Sequence, residues 1–414
     1  MDELSLHAAF VQLSAALAPA AHAVRGVEDV ALLDARGRVL AQPLIAGLDL
    51  PGQDLAAMDG YAVRSADLAA GARVLPVAAH VLAGHPAESA LGPGSCARIM
   101  TGAPLPAGSD AVVMMEVVEA VDAGHVLIPG PVAAGTNRRL RGEHVRAGAA
   151  VLAAGRRLRA ADLALAAALG HARLPVLRRL RVGVLSTGDE LRDPPLALAP
   201  GTAYDSNRPM LLAALAQHAF AATDLAICPD DPAALQERIH RAFAQQLDAV
   251  LVSGGAALGD ADVVRSLGGV RFLPINVRPG RGLAIASLAH AGRHLLVLGL
   301  PGNAVAAYVL AHLLALPLLA RLAGADAHPP QAIALPAARE LQSRAGRIDF
   351  RRARLLRDDL GNCRVDPLPD QGSAMIRSVC EAQAIVAVGP QARTGAGELL
   401  PTYLLSAFES PDPY

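Results

Sequence analysis

The sequence predicts a multidomain α/β protein: a two-piece helical domain with an inserted β domain, a central α/β domain and a C-terminal β-barrel domain. Three observations predict this architecture. Residues 179–324 alternate strand and helix patterns, the signature of parallel βαβ units. Residues 54–140 consist of short β-like runs between Gly/Pro turns, which is typical of a small all-β domain. Beyond the linker at 325–330 (ADAHPP), short strands and turns follow again.

Composition limits the classes of protein to which this chain can belong. At 414 residues, with 53% hydrophobic and 18% charged residues, it can form two to four domains with large buried cores. A net charge of -1 gives no general attraction to nucleic acid or to an anionic membrane. The absence of Trp and the few aromatic residues leave little surface for base stacking. We therefore expect neither nucleic acid nor a membrane as a partner.

The N-terminus and the cysteines indicate a cytoplasmic protein. The chain begins Met1-Asp2-Glu3, which is acidic where a signal peptide is basic. Its four cysteines are widely spaced and contain no CxxC pair, which argues against a disulfide framework and against a zinc site. The most apolar stretch, residues 304–320, contains His312 and Pro317 and is short for a bilayer, so we expect a buried core helix.

The first half of the chain predicts two helical pieces on either side of the β segment. Residues 4–17 have helical periodicity, and residues 160–169 form a predicted helix that Gly170 ends. The simplest arrangement is one helical domain with a β domain inserted into it. The predicted domains are 1–48 with 142–177 (helical), 49–141 (inserted β), 178–326 (α/β) and 330–412 (C-terminal barrel).

Polar loops follow the predicted strands of the central domain. The buried run 249–252 leads directly into Ser253-Gly254-Gly255, where the glycines let backbone N–H groups approach a ligand. The strand at 181–185 leads into a second glycine-containing loop with carboxylates, residues 186–190. Because parallel strands end at one edge of a sheet, we expect these loops to form one binding site. Further loops predicted at this edge are residues 278–282 and 300–303.

The carboxylates near this edge have two interpretations. Asp260 and Asp262 precede a short helical pattern, and Asp230 precedes a helix predicted at 232–243. A carboxylate in such a place either caps the helix or helps to hold a cation. The residues alone leave both interpretations open.

Two motifs in the first half also have alternative interpretations. Asp59-Gly60 is typical of a hairpin turn, although it lies in the distinctive string 58–61. Residues 137–144 contain three arginines beside a glycine, which suits either a solvated face or a phosphorylated ligand.

Ten short motifs, taken together, resemble the molybdopterin molybdenumtransferase family, which includes the bacterial MoeA proteins and the gephyrin E domain. Each motif alone is weak evidence for the family, but ten motifs in the family's order along nearly the whole chain are specific evidence for it. The motifs are MDGYAVR (58–64), RIMTGAPLP (98–106), RRLRGEHV (138–145), STGDEL (186–191), YDSNR (204–208), SGG…GDAD (253–262), RPGRG (278–282), GLPGN (299–303), GRIDFRRA (346–353) and QGS (371–373).

The resemblance implies a four-part, elongated homodimer whose α/β domain is related in fold to molybdopterin adenylyltransferases. It implies that molybdate reacts with adenylyl-molybdopterin to give molybdenum cofactor and AMP, with a divalent metal, usually Mg2+. The implied active cleft combines the α/β domain of one subunit with the inserted β domain of the other. A molybdopterin adenylyltransferase and molybdoenzymes are the implied protein partners.

Residue roles follow from this resemblance and from charge. Carboxylates would repel molybdate, so the predicted molybdate contacts are arginines and a hydroxyl group, while acidic residues are assigned to metal and pterin contacts. Two residues of the inserted β domain, Asp59 and Thr101, are expected to reach in from the partner subunit. The predicted residues are catalytic Asp59, Thr101, Glu190 and Asp260; substrate-binding Ser186, Thr187, Gly188, Ser253, Gly254, Gly255, Arg278, Arg281, Pro301, Arg352 and Ser373; and metal-binding Glu190, Asp230, Asp260 and Asp262.

Several positions depart from the family pattern. Arg278 and Arg281 replace two lysines, which keeps the charge but substitutes a planar fork suited to bidentate oxyanion contacts. Ala257 replaces a serine, with the loss of one hydroxyl donor, on the order of 1 kcal/mol. His144 replaces an aspartate. These departures leave a second hypothesis, a non-catalytic carrier or scaffold that binds molybdopterin or molybdate, and a weaker third, a nucleotidyltransferase.

We predict that His144→Asp raises molybdate-dependent turnover. A carboxylate at this position can contact a metal or the substrate, whereas a protonated histidine favours an anion. The measurement is the rate of AMP release by the variant and by the wild type at equal protein concentration. Unchanged or lower turnover would show that His144 is not a handicap.

Overall fold

The computed structural model describes residues 5–17, 26–254, 263–343, 346–390 and 393–406. The α-helices are α1 (Leu6–Ala16), α2 (Ser65–Leu68), α3 (Ala160–Ala168), α4 (Asn207–Gln217), α5 (Pro232–Ala244), α6 (Ala304–Leu310), α7 (Leu316–Leu322) and α8 (Arg377–Glu381). The strands are β1 (Val27–Ala31), β2 (Leu44–Ile45), β3 (Leu55–Ala56), β4 (Gly60–Val63), β5 (Arg73–Val81), β6 (Cys96–Ile99), β7 (Ala111–Met114), β8 (Glu119–Ala120), β9 (His125–Ile128), β10 (Arg138–Arg139), β11 (Ala150–Leu152), β12 (Arg173–Leu177), β13 (Arg181–Thr187), β14 (Leu191–Arg192), β15 (Ala203–Tyr204), β16 (Ala221–Cys228), β17 (Ala249–Ser253), β18 (Arg271–Pro274), β19 (Val277–Arg278), β20 (Gly282–His290), β21 (Arg293–Leu300), β22 (Ile333–Pro336), β23 (Leu341–Gln342), β24 (Ile348–Arg357), β25 (Cys363–Pro367), β26 (Ala384–Val388), β27 (Arg393–Thr394) and β28 (Leu399–Leu404).

The chain divides into two compact units. The larger unit comprises Met1–Gln42, Ala154–Leu163 and Arg173–Tyr414, and the smaller comprises Pro43–Ala153 and Ala164–Ala172. This division is coarser than the four predicted domains. In the larger unit, α1 packs against α7 and β1 pairs with β12, so short antiparallel strands accompany the helices of the predicted helical domain.

The smaller unit is built on a six-stranded sheet in the order β7-β4-β6-β5-β9-β8, antiparallel except between β5 and β6. Its alternating apolar residues fill two cores, such as Ala62 in one and Val63 in the other. Gly60 does not form the hairpin turn considered above. It begins β4 between two strands, and a Cβ there would lie 1.9 Å from the carbonyl oxygen of Val113, so no larger residue fits.

A mixed six-stranded sheet in the order β16-β13-β17-β21-β20-β18 forms the centre of the larger unit. The first four strands run parallel, which confirms the predicted parallel strand at 249–252. At the end of the sheet, β20 pairs antiparallel with β21, and β18 pairs antiparallel with β20. One face packs against α4 and α6 and the other against α5. The helix α5 begins where the sequence predicts, with Asp231 as its cap and Pro232 in its first turn.

The apolar segment Ala304–Leu322 is a core helix, as the sequence predicts. It is the one helix of the described residues with the length and apolar composition to cross a membrane, and 83% of its most apolar window is buried inside the protein. A π-helical turn, Ala311–Ala315, interrupts it between α6 and α7. Within this turn the ring of His312 hydrogen-bonds the Tyr308 carbonyl at 2.9 Å, and burial lowers the pKa of His312 to about 4, so the ring is neutral.

The C-terminal strands close into a small barrel. Antiparallel pairs link β22, β28, β26, β24 and β25 in that order. Ala337, directly after β22, bridges Val365 of β25, and the Ala338 amide donates to the Val365 carbonyl at 2.9 Å, which completes the ring. The strand β19 of the central region extends this sheet, because Arg278 lies beside Asp349 of β24. The loop that carries the predicted molybdate contacts is therefore joined to the barrel by a β ladder.

We predict that Asp248→Ala lowers the free energy of unfolding by about 3 kcal/mol, the lower end of the range for breaking a buried ion pair. Asp248 is buried directly before β17. Its carboxylate accepts hydrogen bonds from both terminal nitrogens of Arg178, at 2.7 and 2.8 Å, and from the Arg181 amide at 2.9 Å. Denaturant unfolding would measure the change, with the exposed Asp359→Ala as the matched control. Equal stability of the two variants would contradict the prediction.

Candidate functional site

The loops that follow β13, β16, β17 and β21 meet at one edge of the central sheet. The Gly188 amide donates to the Cys228 carbonyl at 3.2 Å, and the Gly254 amide donates to the Leu300 carbonyl at 3.0 Å. The Thr187 hydroxyl reaches the Ser253 carbonyl at 3.4 Å. The structure thus brings together most of the predicted strand-end residues: Ser186, Thr187, Gly188, Ser253, Gly254 and Pro301. Gly255 lies outside the described residues.

Two glycines make this close approach possible. Gly254 has φ +98°, and a Cβ there would lie 2.6 Å from the Thr187 hydroxyl oxygen. Gly188 has φ +152°, and a Cβ there would lie 2.5 Å from a carboxylate oxygen of Glu190. Gly254 excludes a side chain on steric grounds, whereas at Gly188 the positive φ is what disfavours one. The Glu190 carboxylate therefore lies directly over the backbone of Gly188, at the end of β13.

Acidic residues collect on one side of this edge. The Asp230 amide donates to a carboxylate oxygen of Asp189 at 3.1 Å. Partial burial of the carboxyl group raises the pKa of Asp230, and the negative charges of Asp189 and Glu190 add to this effect, although the Asp189 hydrogen bond opposes it. No group of three or more described His, Cys, Asp or Glu residues is placed to hold a metal. Glu190 and Asp230 can supply two ligands, and the predicted Asp260 and Asp262 lie outside the described residues.

The structure separates the two interpretations of Asp230. The cap of α5 is its neighbour Asp231, whose carboxylate accepts from the amides of Ala233 and Ala234 at 3.3 and 3.0 Å. The side chain of Asp230 takes no part in that cap, so it is available to a ligand. The sequence could not distinguish two adjacent aspartates before one helix.

An arginine-rich cavity of about 1190 Å³ lies beside the strand-end loops in the larger unit. It contains five predicted substrate-binding residues, drawn from four separate stretches of the chain. They are Arg278, Arg281, Pro301, Arg352 and Ser373. Arg347 and Arg351 also line it, and its one carboxylate, Asp349, is paired with Arg351 at 3.1 Å. The lining therefore carries an excess of positive charge, which favours an anion.

Arg278 and Arg281 lie on the loop that begins in β19. The Nη1 atom of Arg278 is buried and has no hydrogen-bond partner among the described residues. Gly280, between the two arginines, has φ +93°, and a Cβ there would lie 3.0 Å from the Leu310 side chain. The turn thus packs on α6 and presents its arginines to the cavity. An unpaired guanidinium donor is suited to receive an oxyanion.

Arg352 is almost fully buried and organises the loop that carries Ser373. Its Nη2 atom donates to the carbonyls of Asp370 and Gly372 at 3.2 and 3.0 Å, and its Nε atom donates to Ser378 at 2.9 Å. Burial lowers the pKa of Arg352 to about 10, although the charge of Asp349 opposes this shift. The charge therefore remains at neutral pH. The Ser373 carbonyl in turn accepts the Val305 amide of α6 at 3.0 Å.

The smaller unit holds the remaining predicted site residues. Asp59 and Thr101, which are 42 residues apart in the chain, form a direct pair in which one carboxylate oxygen accepts the Thr101 amide at 2.7 Å and its hydroxyl at 2.6 Å. These hydrogen bonds, together with the charge of Arg98, lower the pKa of Asp59. Asp59 is therefore ionised at neutral pH. His144 is exposed, and its backbone amide donates to the Leu50 carbonyl at 3.0 Å.

The basic cluster at 137–144 is largely neutralised within the smaller unit. Arg138 pairs with Asp54, and the Nε atom of Arg141 donates to Asp49 at 2.6 Å. Arg139 is exposed. These contacts favour the structural interpretation of the cluster over a phosphate site.

Sequence reasoning missed Asn207, the first residue of α4. Its side-chain amide donates to the Ser253 hydroxyl at 2.8 Å and to the Gly302 carbonyl at 2.7 Å. The signal was present in the YDSNR motif, but a lone asparagine before a helix is also an ordinary cap residue. Its long-range contacts become visible only in the fold.

The sheet, its glycine-containing strand-end loops and the adjoining arginine-rich cavity define an α/β protein that binds anionic ligands, with carboxylates nearby for a cation. Family models cover most of the chain: the MoeA N-terminal region (domain I and II) matches residues 4–170, the probable molybdopterin binding domain matches 183–321, and the MoeA C-terminal region (domain IV) matches 334–405. The chain therefore belongs to the molybdopterin molybdenumtransferase (MoeA) family.

Individual relatives agree with this assignment. The molybdopterin molybdenumtransferase of Haemophilus influenzae is 37% identical, over 84% of this chain and 87% of that protein. That of Synechococcus elongatus is 36% identical, over 88% and 91%. Two crystal structures of the molybdopterin biosynthesis MoeA protein from Pyrococcus horikoshii match 97% of this chain: one has TM-score 0.78, 26% identity and 100% coverage of that chain, and the other has 0.72, 30% and 99%.

We predict that Gly254→Ala disrupts this edge of the sheet and lowers stability by about 1 to 3 kcal/mol, the strain expected for a side chain at a left-handed position with a steric clash. Thermal unfolding, together with binding of molybdopterin, would measure the effect. Gly268→Ala is the matched control, because a Cβ there meets nothing within 4 Å. Wild-type stability and binding in Gly254→Ala would contradict the close packing described above.

Proposed function

We propose that this protein is a molybdopterin molybdenumtransferase that inserts molybdate into adenylyl-molybdopterin, with formation of molybdenum cofactor and release of AMP. One observation carries the proposal: the arginine-rich cavity and the strand-end loops share a wall. Pro301, Gly302 and Asn303 line the cavity. The Gly254 amide donates to the Leu300 carbonyl at 3.0 Å, and a Cβ built on Gly302 would lie 3.6 Å from the Cα atom of Gly254, so the two loops lie close together. An oxyanion and a phosphorylated ligand can therefore be held side by side.

The cavity supplies the donors for molybdate. Arg278 has an unused Nη1 donor, and Arg281 is exposed on the same turn. Planar guanidinium groups bind tetrahedral oxyanions through two parallel hydrogen bonds. Arg352 also lines the cavity and contributes its positive charge, and its hydrogen bonds hold the loop of Ser373 in place. The one carboxylate among the described lining residues, Asp349, is neutralised by Arg351.

The strand-end loops supply the site for the adenylyl-molybdopterin. Positive φ at Gly188 and Gly254 brings backbone close to the ligand position without side-chain obstruction. Cleavage of a phosphoanhydride develops negative charge on the departing phosphate of AMP. Nearby guanidinium groups stabilise that charge without reorganisation.

The acidic side of the edge fits a divalent cation, and we propose Mg2+. The pKa of Asp230 is raised partly because Asp189 and Glu190 are close, and a bound cation would remove this repulsion. Glu190 and Asp230 would hold it, with Asp260 and Asp262 as the further predicted ligands. When bound, the cation supplies charge neutralisation to the phosphate oxygens.

The quaternary and cellular part of the proposal rests on the family resemblance. We propose a cytoplasmic homodimer in which the Asp59–Thr101 pair of one subunit completes the site of the other. The ionised Asp59, held by two hydrogen bonds, is suited to orient a hydrogen-bond donor of the substrate. A molybdopterin adenylyltransferase and the recipient molybdoenzymes are the proposed partners.

A second candidate function is a carrier or scaffold that binds molybdopterin or molybdate without turnover. The replacement of an acidic residue by His144 and of a hydroxyl by Ala257 favours it. AMP release from adenylyl-molybdopterin by the purified protein, with and without molybdate and Mg2+, separates the two. Release that requires both protein and molybdate supports the transferase, whereas tight binding without release supports the carrier.

We predict that Arg281→Ala raises the KM for molybdate about tenfold or more, the effect of losing one charge-assisted contact of about 1.5 kcal/mol or more. Arg281→Lys should retain part of the affinity, because it keeps the charge and loses only the fork geometry. The exposed Arg357→Ala, on the barrel strand β24 and outside the cavity lining, is the control. An unchanged KM in Arg281→Ala would remove this residue from the molybdate site.

A further inference from the structure

Asn207 ties together two loops that belong to different parts of the binding region. It is only 7% exposed, and its Nδ2 atom donates to the Ser253 hydroxyl at the end of β17 and to the Gly302 carbonyl beyond β21. These partners are 46 and 95 residues away in the chain. A single amide group therefore adds a side-chain bridge between two strand-end loops that the β17–β21 ladder places side by side.

The backbone of Asn207 is itself held on both sides. One oxygen of the buried Asp205 accepts the amides of Asn207 and Arg208, each at 3.1 Å. The Arg208 guanidinium bonds Asp205 at 3.0 Å, Asp224 at 2.7 and 2.8 Å, and Asp193. Burial lowers the pKa of Arg208, but its bonds to Asp224 and Asp205 outweigh that effect and the net shift is upward. Asn207 is thus positioned by a charged network that does not touch the ligand site.

The orientation of the Asn207 amide follows from its partners. A carbonyl oxygen can only accept, so the Nδ2 atom must face Gly302 and the Oδ1 atom must face away. That Oδ1 atom and the hydroxyl of Ser186 are both buried without a hydrogen-bond partner among the described residues. Ser186 and Ser253 are register partners on neighbouring parallel strands, so both side chains lie on the face that α4 covers. Unsatisfied buried polar atoms are tolerated mainly where a site requires them.

The two loops that Asn207 joins serve the two halves of the proposed reaction. Ser253 and Gly254 belong to the strand-end site assigned to the adenylyl-molybdopterin. Gly302, with Pro301 and Asn303, lines the cavity assigned to molybdate. The Asn207 bridge therefore links the loops assigned to the two substrates and fixes how their ends are oriented beyond the strand ladder.

We infer that Asn207 is a positioning residue that couples the molybdate cavity to the pterin site, an inference that rests on the proposed function. Transfer requires the two substrates to be held at bonding distance, and a displacement of about 1 Å can lower a rate on the order of a hundredfold. When the Asn207 bridge is lost, each substrate still keeps the residues that bind it. The residue therefore acts on the transfer step more than on either binding step.

The test is Asn207→Ala in the full-length protein. We expect the kcat of molybdate-dependent AMP release to fall about tenfold to a hundredfold. The dissociation constants of molybdate and of molybdopterin, each measured alone by calorimetry, should change less than about threefold, because uniform binding is retained. Gln217→Ala, at an exposed position on the same helix, should leave all three quantities unchanged.

Asn207→Asp is the second variant and decides the question if the alanine variant does not fold. It has the same shape and can accept a hydrogen bond from the Ser253 hydroxyl, the reverse of the wild-type direction, but it cannot donate to the Gly302 carbonyl. The same selective loss of kcat is expected. A wild-type kcat in either folded variant, or an equal loss of affinity for both ligands, would overturn the inference while leaving the transferase intact. A wild type that releases no AMP would instead reject the proposed function and this inference with it.

Discussion

The contact between Gly254 and its two neighbouring strand ends is the constraint on which the binding region depends. The parallel register places Ser186, Ser253 and Leu300 side by side, so three loops leave the sheet at one level. Gly254 occupies the middle of this row, with Thr187 on one side and Gly302 on the other. A side chain on Gly254 would clash with Thr187. The backbones of the three loops therefore lie close together at this edge, an arrangement that suits a phosphorylated ligand.

The arginine-rich cavity depends on a second structural device, the continuity between the central region and the C-terminal barrel. The β19–β24 ladder sets Arg278 beside Asp349, and the buried Arg352 holds the loop of Ser373, which is bonded to α6. An excess of positive charge is unfavourable in an empty cavity. For Arg278 and Arg352 it is maintained because a backbone ladder and carbonyl contacts hold them, whereas Arg351 is paired with Asp349. The charge consequently remains available to an anion.

Much of this arrangement could be predicted from the sequence, because it depends on local signals. Strand patterns, the Asp231-Pro232 helix start and the Gly170 helix end are encoded within a few residues, and the structure confirms them. The sequence also predicts that the strand-end loops converge, because parallel strands end at the same edge of a sheet. Contacts between distant residues could not be predicted. The placement of Gly60 between two strands and the two bonds of Asn207 depend on tertiary packing, which no spacing in the sequence reveals.

Charge separation explains how one region can serve a molybdate anion and a cation at once. The carboxylates lie at the ends of β13 and β16, and the arginines lie across the Gly254–Gly302 contact. Because the pKa of Asp230 is raised in the fold, its ionisation destabilises the cation-free protein. This destabilisation is absent below the unfolded value of 3.8 and is fully present above the raised folded value. Under the proposed function, a cation bound beside Asp230 would relieve this repulsion and leave the arginines free for the anion.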